Sequence, residues 1–174
     1  NDLDDAAPTI TSGDTAATID ENSGAGQVIY TATADDSADI SDGVTFSLSA
    51  GSDGALTIDA NTGEVTLTTD PDHEAQSQYS FAVIATDAAN NVSAAQSVTL
   101  DINDLDEIAP TITSGDTAAT IDENSGAGQV IYTATADDSA DISDGVTFSL
   151  SGDSDAALTI NSDTAEVTLT TDPD

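Results

Sequence analysis

The stretch "QYSFAVIATDAANNVSAAQSVTLDINDLDEIAP", from Gln78 to Pro110, decides the fold. Tyr79, Phe81, Val83 and Ala85 share one parity, and so do Val98, Leu100 and Ile102 further on. A period of two puts each set on one face of a β-strand, and "DAANN" between them has the composition of a turn. The second strand then runs into Asp101, Asn103, Asp104, Asp106 and Glu107. Two carboxylates about 5 Å apart repel by roughly 3 kcal/mol at an effective dielectric near 20. The chain holds no Lys or Arg to offset this, so positive charge must come from outside the polypeptide.

Working outward, the same alternation recurs. Val28, Tyr30 and Ala32 share a parity, as do Val44, Phe46 and Leu48, then Leu56 and Ile58, then Val65 and Leu67. "SGAG", "SDG" and "ANTG" break these runs, and no helical stripe emerges. About seven short strands in about 100 residues predict an all-β chain built from Greek-key β-sandwiches. Gly63 in "NTG" and Gly43 in "SDG" read as turn glycines.

The sequence is also a tandem repeat. "APTITSGDTAATIDENSGAGQVIYTATADDSADISDGVTFSLS" begins at Ala7 and again at Ala109, and "EVTLTTDPD" begins at Glu64 and again at Glu166. Near-identity at the period of one domain marks an array. The organisation expected is a linker at 1–7, a first repeat at 8–104, a linker at 105–109 and a second repeat at 110–174. The second copy reaches Asp174, the counterpart of Asp72, without a counterpart of "HEAQSQYSFAVIATDAANNVSAAQSVTLDIND". That piece holds the last two strands of the first sandwich. The second module is therefore expected to expose strand edges and half a core, being truncated, partly proteolysed, or completed by strands of another chain.

Composition narrows the function. With 34 acidic residues, one His and a formal charge of −34, the chain has no basic groups for phosphate contacts, which argues against nucleic acid and anionic membrane surfaces. No apolar run reaches membrane-spanning length and no basic-then-apolar leader is seen, so the chain reads as a segment of something larger or one exported by a signal elsewhere. Disorder is the competing reading of such acidity, but 37% of the residues are apolar and fall in strand patterns. Cys is absent, which removes disulfides and thiolate metal sites and leaves hard oxygen ligands suited to calcium or magnesium.

No enzyme signature is present. Close carboxylate pairs are unavoidable among 34 acids, and there is no G-x-S-x-G, no phosphate loop and no second His. The EF-hand spacing and the glycine-rich calcium nonapeptide are missing too. Asn91-Val92-Ser93 fits a glycosylation acceptor. Recognition surfaces rich in Tyr, Trp and Arg are hard to build from three Tyr and no Trp, so a spacer is favoured over a ligand-binding adhesive domain.

Three motifs in order carry a family resemblance. "IDENSGAGQVIYTATADD" resembles the first third of a cadherin repeat; "DPDHEAQSQYSFAVIATDAANN" resembles its Asp-x-Glu stretch; "DINDLDEIAP" is similar to its Asp-x-Asn-Asp linker. The faithful duplication further resembles the extender arrays of very large bacterial surface adhesins. The resemblance implies Ca2+ between consecutive domains, immunoglobulin-like sandwiches, and a secreted protein at the bacterial cell surface serving adhesion or biofilm formation. Its partners would be calcium ions and neighbouring identical repeats in the same chain.

Carried over residue by residue, the resemblance implies ligands Glu21, Asp72 and Glu74 at the lower end of the first repeat. Asn103, Asp104 and the carbonyl of Ile102 would come from the linker, and Asp137 and Asp138 from the second repeat. Asn1, Asp2, Asp35, Asp36 and Asp87 would form the corresponding upper site of the first repeat. Asp101 and Asp106 are further candidates, with Glu107 and Asp70 behind them. Three departures stand out. "LDEI" lengthens the linker, the upper acids read "DD" so that Asp39 competes for a place, and His73 occupies the middle of Asp-x-Glu, where it is expected to face solvent. An acidic surface adapted to high salt, without specific calcium sites, is the alternative account of the charge.

Overall fold

The strands of the first copy follow the apolar alternation. They are β1 (Thr9–Ile10), β2 (Ile19–Asp20), β3 (Gln27–Thr31), β4 (Ala34–Asp35), β5 (Val44–Leu48), β6 (Leu56–Ile58), β7 (Glu64–Leu67), β8 (Gln78–Asp87) and β9 (Gln96–Asn103). The computed structural model describes residues 3–38, 43–143 and 145–174, in two units spanning 1–105 and 106–174. In the first unit one sheet has the order β2-β9-β8-β5 and the other β3-β7-β6, with β1 and β4 forming a short ribbon. The pairing β2–β9 is parallel and joins the early part of the first unit to its last strand, while β8–β9 and β5–β8 are antiparallel. This is a β-sandwich, as expected. Nine strands replace the expected seven because the opening segment is divided between β1 and β2, and β4 forms a separate two-residue ribbon.

The core lies between the sheets. Phe81, Val83, Val98 and Leu100 from the β8–β9 hairpin meet Tyr30, Leu56, Val65 and Leu67, all nearly or fully buried. Each such side chain contributes about 1.5–3 kcal/mol by leaving water. The Tyr30 and Phe81 rings meet edge to face with centroids 5.5 Å apart, and the Tyr30 hydroxyl donates to the Gly13 carbonyl at 2.6 Å.

One strand departs from simple alternation. Val28 was expected to share the face of Tyr30, yet it is 53% exposed while Ile29 and Tyr30 are both buried. The register between β3 and β7 shifts between Val28 and Tyr30. This irregularity puts an extra residue on β3, which rotates Val28 outward and brings Ile29 in.

The second unit contains β10 (Thr111–Ile112), β11 (Gln129–Thr133), β12 (Ala136–Asp137), β13 (Leu158–Ile160) and β14 (Glu166–Leu169). Its sheets, β11-β14-β13 and β10-β12, reproduce their counterparts down to the irregularity between Val130 and Tyr132. "VTFSL" is β5 in the first unit, but the same five residues at Val146–Leu150 form no strand. The counterpart of β2, Ile121–Asp122, forms none either. In the first unit these segments take their ladder bonds from β8 and β9, whose sequence occurs once in these 174 residues.

Candidate metal centres

Glu21 follows β2. The parallel ladder sets Asp20 against Asn103, so the next residue reaches the end of β9, where the Glu21 N–H donates to the Asn103 carbonyl at 3.1 Å. The Glu21 side chain then turns inward and is only 1% exposed. Its Oε2 accepts the His73 N–H at 2.8 Å and its Oε1 the Leu105 N–H at 2.6 Å. These two backbone donors, that of His73 first, hold the Glu21 carboxyl below the usual carboxylate range against the opposing effect of burial. One buried carboxylate thus ties together the turn after β2, the segment before β8 and the end of β9.

Beside it, ligand atoms of His73, Glu74 and Asp104 lie within 4.8 Å of one another. His73 Nδ1 stands 3.3 Å from Asp104 Oδ2 and 3.7 Å from Glu74 Oε1. Instead of facing solvent as expected, the imidazole is half-buried and directed at these two carboxylates. Asp104 Oδ1 is shielded from solvent and has no hydrogen-bond donor. The Glu74 carboxyl is pulled down by its own backbone N–H, but desolvation and the charges of Glu21 and Asp104 prevail and raise it.

Other expected residues of this end have partners within the protein. Asp72 Oδ1 accepts the Ala75 N–H at 2.8 Å and closes the turn before β8. Asp101 is a cross-strand partner of Gln78, whose amide donates to it at 2.6 Å. Asn103 donates to Asp20 Oδ1 at 2.9 Å. Ile102 is buried, with its N–H on the Ser77 carbonyl. Asp70 accepts the Gly24 N–H at 2.8 Å and pins the loop before β3.

The opposite end of the first unit holds a second cluster. Asp4, Asp36 and Asp87 bring carboxylate oxygens within 4.8 Å of one another, with Asp36 and Asp87 buried. Asp87 ends β8 and is positioned by Asn91, whose backbone N–H and side-chain amide donate to its two oxygens at 2.7 and 2.8 Å. The same amide reaches the Asp4 carbonyl at 3.2 Å. Asp35 is exposed and is not one of these three; its carboxylate accepts from Ser37 and is held low by it. Asn1, Asp2 and Asp39 lie outside the described residues.

Sequence reasoning missed Asp4 and Asn91 here. A usable signal existed, because Asp4 is the repeat counterpart of Asp106, which the linker motif did single out. In the second unit, Asp137 accepts from Ser139 just as Asp35 does from Ser37, Asp138 accepts from the Ser143 hydroxyl, and Asp106 is exposed. Glu123, the copy of Glu21, is exposed as well. The backbone donors that hold Glu21 belong to His73 and Leu105, both of which follow Asp72, the counterpart of Asp174.

The donor chemistry fits a hard divalent cation. Converging carboxylates, a buried carboxylate oxygen without a donor and a chain without Lys or Arg leave negative charge that only a cation can neutralise. The first unit is thus a β-sandwich with acidic clusters at two ends, a class of module represented among proteins of known sequence and structure.

A cadherin domain model matches residues 15–103, just over half of the chain, and the chain belongs to that family. Human protocadherin-23 is 32% identical over 88 residues, 49% of this chain, which spans only 3% of that protein's length. Among solved structures, mouse cadherin-23 EC22-24 matches with a TM-score of 0.65 at 25% identity, covering 99% of this chain and 56% of the other. The human desmocollin-1 ectodomain matches at 0.68 and 21% identity, covering 98% of this chain and 34% of the other. Cadherin domains are extracellular, adhesion-type structural modules that generally bind Ca2+. Among the described residues no helix is long and apolar enough to cross a membrane.

Proposed function

We propose that this chain is a calcium-dependent structural spacer from the extracellular part of a bacterial surface adhesin, in which Ca2+ held at the ends of its modules stiffens a tandem array. One observation carries the reading: Glu21, buried and ionised, stands beside the converging Glu74 and Asp104 in a chain lacking Lys and Arg. Near-identical copies support a repeated mechanical role rather than recognition. Glu21, Glu74 and Asp104 would hold one ion, and Asp4, Asp36 and Asp87 another. The bound ion supplies the positive charge that turns mutual repulsion into attraction, and it favours only the folded state. The residues around it do the positioning: His73 and Leu105 N–H orient Glu21, and Asn91 orients Asp87. At low calcium, self-repulsion loosens the chain and suits it to export.

The test is calcium titration by calorimetry, combined with thermal unfolding and small-angle scattering in calcium and in chelator. Saturable binding, a melting temperature that falls on chelation and is not restored by NaCl, and a narrower distance distribution in calcium are expected. A protein indifferent to calcium but stabilised by NaCl would instead be a salt-adapted spacer.

A further inference from the structure

His73 is the only histidine of the chain, which also has no Cys and no Met. Its imidazole is therefore the only side-chain donor here that prefers a zinc-class ion to calcium. The fold gives that nitrogen two carboxylate companions. His73 and Glu74 lie in the turn before β8, where Asp72 accepts the Ala75 N–H with its side chain and the Gln76 N–H with its carbonyl. Asp104 comes directly after β9.

Glu21 fixes these two segments against each other. Its Oε2 accepts the N–H of His73 at 2.8 Å, and its Oε1 accepts that of Leu105, next to Asp104, at 2.6 Å. The clamp is 1% exposed, so it belongs to the packed interior. Beside it, His73 Nδ1 stands 3.3 Å from Asp104 Oδ2 and 3.7 Å from Glu74 Oε1. Donors about 2.0–2.1 Å from a four-coordinate zinc lie about 3.3 Å from one another. One ion therefore reaches all three after a small shift of the Glu74 side chain, which is half-exposed. A calcium shell has similar separations, so distance does not choose the metal; the nitrogen does. Asp104 Oδ1 is shielded from solvent and has no hydrogen-bond donor, which leaves this carboxylate desolvated without compensation from the protein. The cluster at the opposite end of the unit, Asp4, Asp36 and Asp87, is built of carboxylates alone and offers such an ion no nitrogen.

We propose that His73, Glu74 and Asp104 form a site for a divalent ion of the zinc class. The ion is held by His73 Nδ1 and by one carboxylate oxygen from each acid, with water completing its shell. Glu21 is a positioning residue, holding the segments that carry the ligands. The site rests on the donor chemistry of three side chains and does not require calcium. On the calcium reading, the two metals share Glu74 and Asp104, and a zinc-class ion takes the place of calcium at this end.

The test titrates Zn2+ into the metal-free full chain, by calorimetry and by NMR of the 15N-labelled imidazole. With a single histidine, every imidazole signal belongs to His73. A saturable site is expected, with an Nδ1 resonance that moves far more on Zn2+ than on Ca2+. His73→Gln keeps the backbone N–H that Glu21 holds, and should weaken zinc binding about 100-fold or more, beyond the loss an outer partner causes. The same change should leave calcium binding nearly as it was. The proposal is overturned if zinc affinity survives His73→Gln, since zinc is then held by the acids alone. It is also overturned if the Nδ1 resonance of the unaltered protein ignores Zn2+, as an imidazole merely paired with Asp104 would; that measurement needs no variant to fold. Calcium titrations of the same samples judge the spacer reading separately. A chain that binds zinc through His73 and ignores calcium keeps this proposal and loses that reading, and calcium binding with His73 indifferent to zinc does the reverse.

Discussion

The turn between β6 and β7 offers a test that the repeat has half performed already. Asp59 Oδ1 accepts the N–H groups of Asn61 and Thr62 at 2.8 and 2.9 Å, and Gly63 closes the turn at φ +72°. Its carbonyl accepts the Ala32 N–H at 2.8 Å. A Cβ at Gly63 would stand 2.5 Å from the Ala32 carbonyl oxygen and 3.2 Å from Phe46 Cδ2. The second unit builds the same turn on Asn161, yet has Ala165 at this place with φ 59°. There the matching hydrogen bond, Ala134 N–H to Ala165 carbonyl, measures 3.0 Å.

An alanine in the left-handed region costs about 1–2 kcal/mol. In the first unit the contact with Ala32 adds to this, because the obstacle is backbone of the segment following β3 and cannot rotate away. Lower unfolded-state entropy returns about 0.4–1 kcal/mol. Gly63→Ala should therefore destabilise the first unit by roughly 1–3 kcal/mol, a fall of about 5–15 °C in Tm for a domain of this size. Ala165→Gly should stabilise the second unit by about 1 kcal/mol or less. Urea titration followed by amide exchange on fragments with copy-specific sequence, Gly51–Val65 and Gly152–Val167, reads each unit separately. If Gly63→Ala leaves the first unit unchanged within about 0.3 kcal/mol, the steric reasoning fails.

Other consequences concern the core and the carboxylates. Leu100→Ala, at a fully buried site, should cost about 2–5 kcal/mol in chemical denaturation, while Val28→Ala, outside the core, should stay within about 0.5 kcal/mol; equal costs would refute the outward rotation of Val28. Glu21→Gln should weaken calcium binding about tenfold or more by calorimetry, whereas Asp35→Asn, whose carboxylate faces Ser37, should leave it nearly unchanged. Because the Glu21 carboxyl is held low in the fold, its contribution is complete above the ordinary carboxylate range and is lost as pH falls through its depressed folded value. Melting temperatures measured across acid pH should therefore converge for wild type and Glu21→Gln at the acid end. Glu74 is raised in the fold, so its ionisation opposes folding as pH climbs past the ordinary range. At acid pH, where this carboxyl is partly protonated, calcium binding there should release a proton, detected by titration in buffers of different ionisation enthalpy.

Much of the fold was legible because its signals are local. In β8 and β9, one parity is uniformly apolar over several residues, and a strand so patterned has only one way to face a core. The acids at strand ends were legible through their order and the absence of counter-charge. Where reading went astray, the deciding contact lay elsewhere in the chain. The irregularity at Val28 is set against β7. His73 is drawn toward Asp104, 31 residues on in sequence. Asp72 and Asp101 were read from the family pattern alone, and only the fold shows that each also accepts a hydrogen bond, from a turn amide and from a glutamine across the ladder.

The duplicated sequence separates the two levels of control. By itself it determined an all-β chain in two copies, the turn positions, the alternating faces and a charge that calls for a cation. Tertiary structure decided whether "VTFSL" is a strand and whether the glutamate of "IDEN" is buried, since both answers differ between identical stretches of one molecule. The physical reason is that a strand has no hydrogen bonds of its own. It exists only when a distant neighbour supplies them, and a carboxylate leaves water only when distant N–H groups are there to receive it.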